Sequence, residues 1–228
     1  MALRLLLLFL VVVCGQWPGD KVIASSLPKQ QPAGLLILGD SISAAYGIDK
    51  SYGWVALLEN RLHGQCPEVA VYNVSVSGET TAGGLVRLPD LLSRFRPALV
   101  VVELGGNDGL RGLPPAQMQS NLQQMARLVR AAGAQPIFLG ILIPPNYGES
   151  YRRLFEQAIV SAASIEQVPL LEFFLAGVAD RKELMQADGL HPTEEAQTLL
   201  LANAWQVLSK PLLQLCGDNE LAGTPNIP

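Results

Sequence analysis

Five short apolar runs, each followed by a stretch with helical spacing, constrain this chain more than any other feature. The runs cover 35–38, 69–74, 99–104, 137–143 and 169–173, and some are rich in β-branched residues. Runs of that length, bounded by turn residues, read as strands. The segments 52–62, 83–94, 116–132 and 151–166 read as helices, with Leu122, Met125, Leu128 and Val129 marking one face of the third. A last helix is expected over 193–208, started by Pro192 or Thr193 and ended by Pro211. Apolar strands alternating with helices imply a parallel sheet covered on both faces. Right-handed crossovers then give an α/β fold, a three-layer α/β/α sandwich with a central five-stranded parallel sheet. Ligands of such sheets sit at the carboxyl ends of the strands, near the point where strand order reverses.

Not all of the 228 residues belong to that sheet. The first thirteen read MALRLLLLFLVVV, with one basic residue, Arg4, before an apolar run over 5–13. That run is shorter than the roughly 20 residues that cross a bilayer. Val22 and Ala24 are compact residues at the two positions a signal peptidase inspects. Residues 1–24 therefore read as a secretory signal peptide, which predicts a periplasmic or secreted protein with no stable membrane span after its removal. Val13 before Cys14 is too bulky for lipoprotein processing. A proline-punctuated linker follows over 25–32, then a single domain over 33–215, then an aperiodic tail over 216–228 that is expected to be flexible.

The formal net charge is −4 and no basic block is present, which argues against nucleic acid or an anionic membrane as the main partner. Two cysteines remain after the signal, Cys66 and Cys216. In an oxidising compartment they can pair, or stay as two partly buried thiols; their Cα separation decides.

The strand ends carry the chemistry. Gly39-Asp40-Ser41 follows the first run, Asn73 to Thr80 the second, and Gly105-Gly106-Asn107-Asp108 the third. The G-x-S-x-G elbow is absent, since Gly39 and Ser43 stand two residues either side of Ser41. Ser41 therefore needs a base, an orienting acid and an oxyanion site to count as a nucleophile. The chain has two histidines. His63 stands at a helix end before Gly64, read as a C-cap, where an imidazole suits the helix dipole. His191 has no such structural role. Asp188 precedes it by three residues across a glycine turn, a spacing that lets a carboxylate hold Nδ1 and leave Nε2 facing a serine. Gly78 lets a ligand approach its backbone N–H, and the Asn107 amide supplies a second donor for an oxyanion. Two distant histidines and no Cys-x-x-Cys give no metal-ligand cluster, and no cofactor is implied.

Taken in order, Gly39-Asp40-Ser41, Gly78, Gly106-Asn107-Asp108 and Asp188-x-x-His191 match the four sequence blocks of the GDSL, or SGNH, hydrolases. The stretches VELGGNDGLRGLPP, LPPNYG and DGLHP resemble the bacterial thioesterase I / lysophospholipase branch of that family. The resemblance covers about 35–208 and implies the flavodoxin-like SGNH fold. It implies Ser41 as nucleophile, His191 as base and then acid, and Asp188 as the residue that orients His191. It implies an oxyanion hole of the Ser41 and Gly78 N–H groups and the Asn107 side chain. Asp40 and Asp108 are read as loop braces. The substrate it implies is a small acyl ester or thioester, and a monomer is expected. Leu110, Ile143, Pro144 and Tyr147, on the loops after the third and fourth strands, are candidates for the acyl groove. A carbohydrate acetylesterase would use the same triad, although apolar, tryptophan-poor loops favour an acyl chain. A non-enzymatic receiver-like module with Asp40 and Asp108 at its strand ends would need a lysine after the fifth strand, where the chain reads Leu170-Leu171-Glu172-Phe173-Phe174.

Overall fold

The computed structural model describes residues 34–216. The expected signal peptide, the expected linker and the residues beyond Cys216 lie outside the described residues. Five strands form one parallel sheet: β1 Gly34–Gly39, β2 Ala70–Asn73, β3 Leu99–Glu103, β4 Gln135–Leu139 and β5 Leu170–Leu171. Their order is β2-β1-β3-β4-β5. β1 and β3 are buried along their whole length, in a register that pairs Leu35 with Leu99 and Gly39 with Glu103. Burial on both faces is why these strands read as unbroken apolar runs and not as alternation. The chain moves from β1 outward to β2, then crosses back over β1 to β3. Strand order reverses there, so the ends of β1 and β3 splay apart and open a crevice.

Six helices cover the sheet: α1 Trp54–Gln65, α2 Thr81–Phe95, α3 Gly106–Leu110, α4 Pro115–Ala131, α5 Glu149–Ile165 and α6 Gln197–Leu215. α1 packs with α6, and α4 packs with both α2 and α5, which gives the two outer layers. Leu122, Met125 and Val129 of α4 are buried, whereas Leu128 is more than one third exposed at the edge of that face. No helix among the described residues is long and apolar enough to cross a membrane.

Several boundaries differ from those expected. The strand within the 137–143 run ends at Leu139: the Gly140 N–H makes a last bond to the Leu171 carbonyl of β5 at 2.7 Å, and Ile141 to Ile143 continue as loop. Gly64 lies inside α1, whose C-cap is Cys66, so it does not end the helix. α6 begins at Gln197 and runs through Pro211 to Leu215. A proline costs an internal helix one hydrogen bond. Here Pro211 is buried beside Leu208 and Leu212, packing that offsets the loss. Cys216 belongs to the folded unit, not to the tail: it forms a disulfide with Cys66, with a Cα–Cα distance of 5.5 Å and 150 residues between them. The bond fastens the end of α6 to the end of α1.

Candidate active site

The turn after β1 carries Ser41. The loop after the 3₁₀ turn Lys182–Leu184 carries Asp188 and His191 and returns to the start of α6. Three groups stand in a hydrogen-bonded line across these two segments. Ser41 Oγ is 2.8 Å from His191 Nε2, and His191 Nδ1 is 2.6 Å from Asp188 Oδ2. A carboxylate only accepts, so Nδ1 carries the proton and the lone pair of Nε2 faces the serine hydroxyl. The other oxygen, Asp188 Oδ1, accepts the backbone N–H groups of Leu190 and His191 at 2.9 and 3.0 Å. The bond to His191, aided by those N–H groups, pulls Asp188 down to about 2, so it is charged at any working pH. The ring of Tyr46 lies 4.6 Å from that of His191.

Asn107 stands in α3, at the crevice between β1 and β3, and its Nδ2 donates to Asp40 Oδ2 at 3.1 Å. Gly78, between β2 and α2, has φ of 80°, a conformation that favours glycine. Its carbonyl accepts from Arg111 Nη2 at 2.8 Å. Among the described residues the N–H groups of Ser41 and Gly78 have no hydrogen-bond partner, which leaves them free to donate to a ligand. Asp108 is buried and accepts from the Thr81 N–H at 2.8 Å and hydroxyl at 2.5 Å, and so braces α3 against the start of α2.

Beneath the serine lies a pair of buried carboxyls. Glu103 accepts from the Ser43 hydroxyl at 2.7 Å, and the same hydroxyl oxygen accepts from Trp54 Nε1 at 3.2 Å. Burial, and then the nearby Asp40, push Glu103 well above the ordinary carboxylate range. Burial also lifts Asp40, to about 6, against the pull of the Ile42 N–H, the His191 charge and the Asn107 amide. Unfolded, Asp40 titrates near 3.8. The native state therefore holds this proton more tightly than the unfolded chain. Asp40's contribution to stability is complete below pH 3.8 and is lost as pH rises through about 6. An asparagine does not titrate there. Relative to wild type, Asp40→Asn is expected to gain about 2–3 kcal/mol in unfolding free energy between pH 4 and pH 7.5. Urea titrations at the two pH values check this; a constant difference between the proteins would show that Asp40 is not held up by burial.

A cavity of about 850 Å³ opens beside Ser41, and Asp40, Asn107 and His191 also line it. Its other walls are mostly apolar. Leu110, Ile143 and Pro144 line it, together with Ile141, Phe173 and Leu175. Tyr147 does not: its hydroxyl donates to the Leu110 carbonyl at 2.8 Å, so it braces the wall from behind. The walls from Phe173, Leu175, Ala176, Gly177 and Ala179 have no signal in the sequence, since a short apolar run after a strand looks the same whether it enters the core or lines a cavity. His63 is exposed in the last turn of α1 and takes no part. The His/Cys/Asp/Glu cluster at Cys66, Glu68 and Cys216 contains the disulfide, whose sulfurs are already bonded to each other.

The arrangement suits acyl transfer: a hydroxyl with a base, an acid fixing the base's tautomer, and free donors at one edge. Known proteins resemble this chain. Over 193 residues the chain is 53% identical to the esterase TesA of Pseudomonas aeruginosa, covering 84% of this chain and 96% of that one. It is 44% identical over 166 residues to the thioesterase 1/protease 1/lysophospholipase L1 of Escherichia coli, covering 73% of this chain and 78% of that one. The psychrotrophic esterase EstA from Pseudoalteromonas sp., solved inhibited by monoethylphosphonate, superposes with a TM-score of 0.74 at 39% identity, covering 78% of this chain and 98% of that one. Residues 37–199 match the model of the GDSL-like Lipase/Acylhydrolase family. With three blocks following strands, the fourth in the Asp188–His191 loop, and relatives named as esterases, the chain belongs to this family, the SGNH hydrolases, and is an ester hydrolase.

Proposed function

We propose that the protein hydrolyses esters and thioesters of fatty acyl chains through an acyl-enzyme on Ser41. The observation that carries this reading is the Ser41–His191–Asp188 line opening onto a largely apolar cavity. His191 Nε2 takes the hydroxyl proton as Ser41 Oγ attacks the substrate carbonyl carbon. The N–H groups of Ser41 and Gly78 and the Asn107 amide hold the oxyanion of the tetrahedral intermediate. As the C–O or C–S bond breaks, His191 gives its proton to the departing alcohol or thiol. Water then attacks the acyl-serine, His191 again takes the proton and returns it to Ser41, and the carboxylic acid leaves. Asp188 orients the imidazole and stabilises the imidazolium.

Leu110, Ile143 and Pro144 hold the acyl chain. The names of the relatives, thioesterase and lysophospholipase among them, support a lipid-type substrate. Residues 1–24 act as a signal peptide and 33–216 as the hydrolase domain, so the enzyme works in the periplasm or outside the cell. It acts as a monomer on a small substrate.

The test is the hydrolysis of p-nitrophenyl esters from acetate to palmitate, with an acyl-CoA series in parallel. Burial of one methylene contributes about 0.8 kcal/mol, so kcat/KM is expected to rise by up to about fourfold per methylene until the cavity is full. A profile that peaks at acetate and falls thereafter would replace this reading with an acetylesterase.

A further inference from the structure

Two separate irregular segments carry the reacting groups, and neither is a regular helix or strand. Apart from the Ser41–His191 bond itself, among the described residues one side chain joins them by hydrogen bonds. Gln186 Nε2 donates to the Tyr46 carbonyl at 2.8 Å and to the Pro192 carbonyl at 2.9 Å. Tyr46 ends the Ser41 turn: its N–H donates to the Ser41 carbonyl at 3.0 Å, and its ring packs on His191. Pro192 follows His191 directly. The Gln186 backbone joins the same knot, with its N–H on the His191 carbonyl at 2.7 Å and its carbonyl accepting from the Gly189 N–H at 2.9 Å. One residue thus holds the main chain on both sides of the Ser41–His191 bond.

Two features make this fit specific. Both partners of the side-chain amide are carbonyls, so only the NH₂ group, with its two protons, satisfies them. The seat is provided by Gly47. A Cβ at that position would stand 2.2 Å from Gln186 Oε1 and 2.9 Å from Cδ, so any larger residue would push the amide out. Gly47 also has φ of 77°, in the left-handed region.

We propose that Gln186 is a positioning residue for the base: it fastens the Asp188–His191 loop onto the Ser41 turn, with Gly47 as its seat. This rests on the reading that Ser41 and His191 carry the reaction. A serine–imidazole pair tolerates little displacement, and a shift of about 1 Å costs on the order of 10²-fold in rate. Gln186 touches neither the hydroxyl nor the imidazole nitrogens, so its removal leaves the groups present but loosely held.

The experiment compares wild type with Gln186→Met, Gln186→Glu and Gly47→Ala, and with Gly47→Ala combined with Gln186→Met. Gln186→Met keeps the length and loses the donors. Gln186→Glu keeps the shape and sets an acceptor against two carbonyls. Three readouts are taken: kcat and KM on p-nitrophenyl butyrate, thermal melting, and the rate at which a p-nitrophenyl alkylphosphonate labels Ser41. In labelling, Ser41 Oγ bonds to phosphorus, p-nitrophenolate leaves, and His191 receives the serine proton; the labelled peptide identifies the residue by mass. We expect kcat and the labelling rate to fall together by roughly 10- to 100-fold in each single variant, with KM within about twofold; melting should change little in the Gln186 variants and fall somewhat in Gly47→Ala, whose φ is left-handed. Because both positions act through one seat, the double variant should be no slower than the slower single one. Retention of kcat within twofold in both Gln186 variants overturns the proposal. So does a loss of kcat that merely follows a loss of folded protein. Failure of wild-type Ser41 to take the label would instead overturn the underlying site assignment, which keeps the two failures apart.

Discussion

Ser41→Ala is expected to abolish turnover, lowering kcat by roughly 10⁴- to 10⁶-fold while the fold is retained. The size of the loss follows from the cavity's composition. Among the residues that line it Ser41 carries the sole hydroxyl, and no cysteine, lysine or threonine stands there to replace it. The triad members act as a unit, so with the nucleophile gone His191 and Asp188 have nothing to activate except water, which is not bonded into the attacking position. The small cost to the fold is equally local. The hydroxyl's one hydrogen bond is to His191 Nε2, and the backbone bonds that shape the turn, from Ala44 N–H to Asp40 and from Tyr46 N–H to Ser41, involve main chain alone. Hydrolysis of p-nitrophenyl butyrate and thermal melting, measured on the same preparation, check both halves. Residual activity above about one per cent of wild type, well outside the range seen when a triad nucleophile is lost, would mean that another group attacks the ester.

How far the sequence carried this argument depended on whether a feature was local. β1 and β3 are buried on both faces, so their apolar runs were unambiguous, and they are the two strands whose ends define the crevice. Ser41, Asn107 and the Asp188–His191 pair were legible because each sits in a short block whose residue types are few and chemically apt. The rest failed for physical reasons. α3 has five residues, too few to show a period, although it carries Asn107. Ile141, Leu142 and Ile143 read as strand because apolarity alone does not separate a sheet from a cavity wall. Tyr147 sits on the right loop, but its hydroxyl found a carbonyl behind the wall. The disulfide rested on a Cα distance that no one-dimensional pattern contains. Glu103 ends an otherwise apolar strand, and nothing local says that a serine and a tryptophan will hold its carboxyl in the core. Gln186 is the extreme case: it reaches Tyr46 across 140 residues of sequence and has no local signature.

Asp188→Asn is expected to cost about 10⁴-fold in kcat, with little change in KM. The reason lies in which way an amide would settle at this position. Oδ1 of Asp188 already accepts two backbone N–H groups, from Leu190 and His191. An asparagine would place its oxygen there, because an NH₂ in that position would face two donors. Its NH₂ would then point at His191 Nδ1 and oblige that nitrogen to accept. The ring proton moves to Nε2, which now donates toward Ser41 Oγ and has no lone pair left to take the serine proton. The variant also loses the negative charge beside the imidazolium that forms as the serine attacks. Asp188, held at about 2 by its bond to His191, keeps that charge in wild type down to strongly acidic pH. Loss of activity in wild type between pH 5 and 7 should therefore not be assigned to this residue. ¹⁵N shifts of the His191 ring distinguish the two tautomers directly, and kcat on p-nitrophenyl butyrate gives the cost. If Nδ1 remains protonated and kcat falls less than tenfold, the carboxylate is not what fixes the imidazole, and the orienting role must be sought elsewhere around His191.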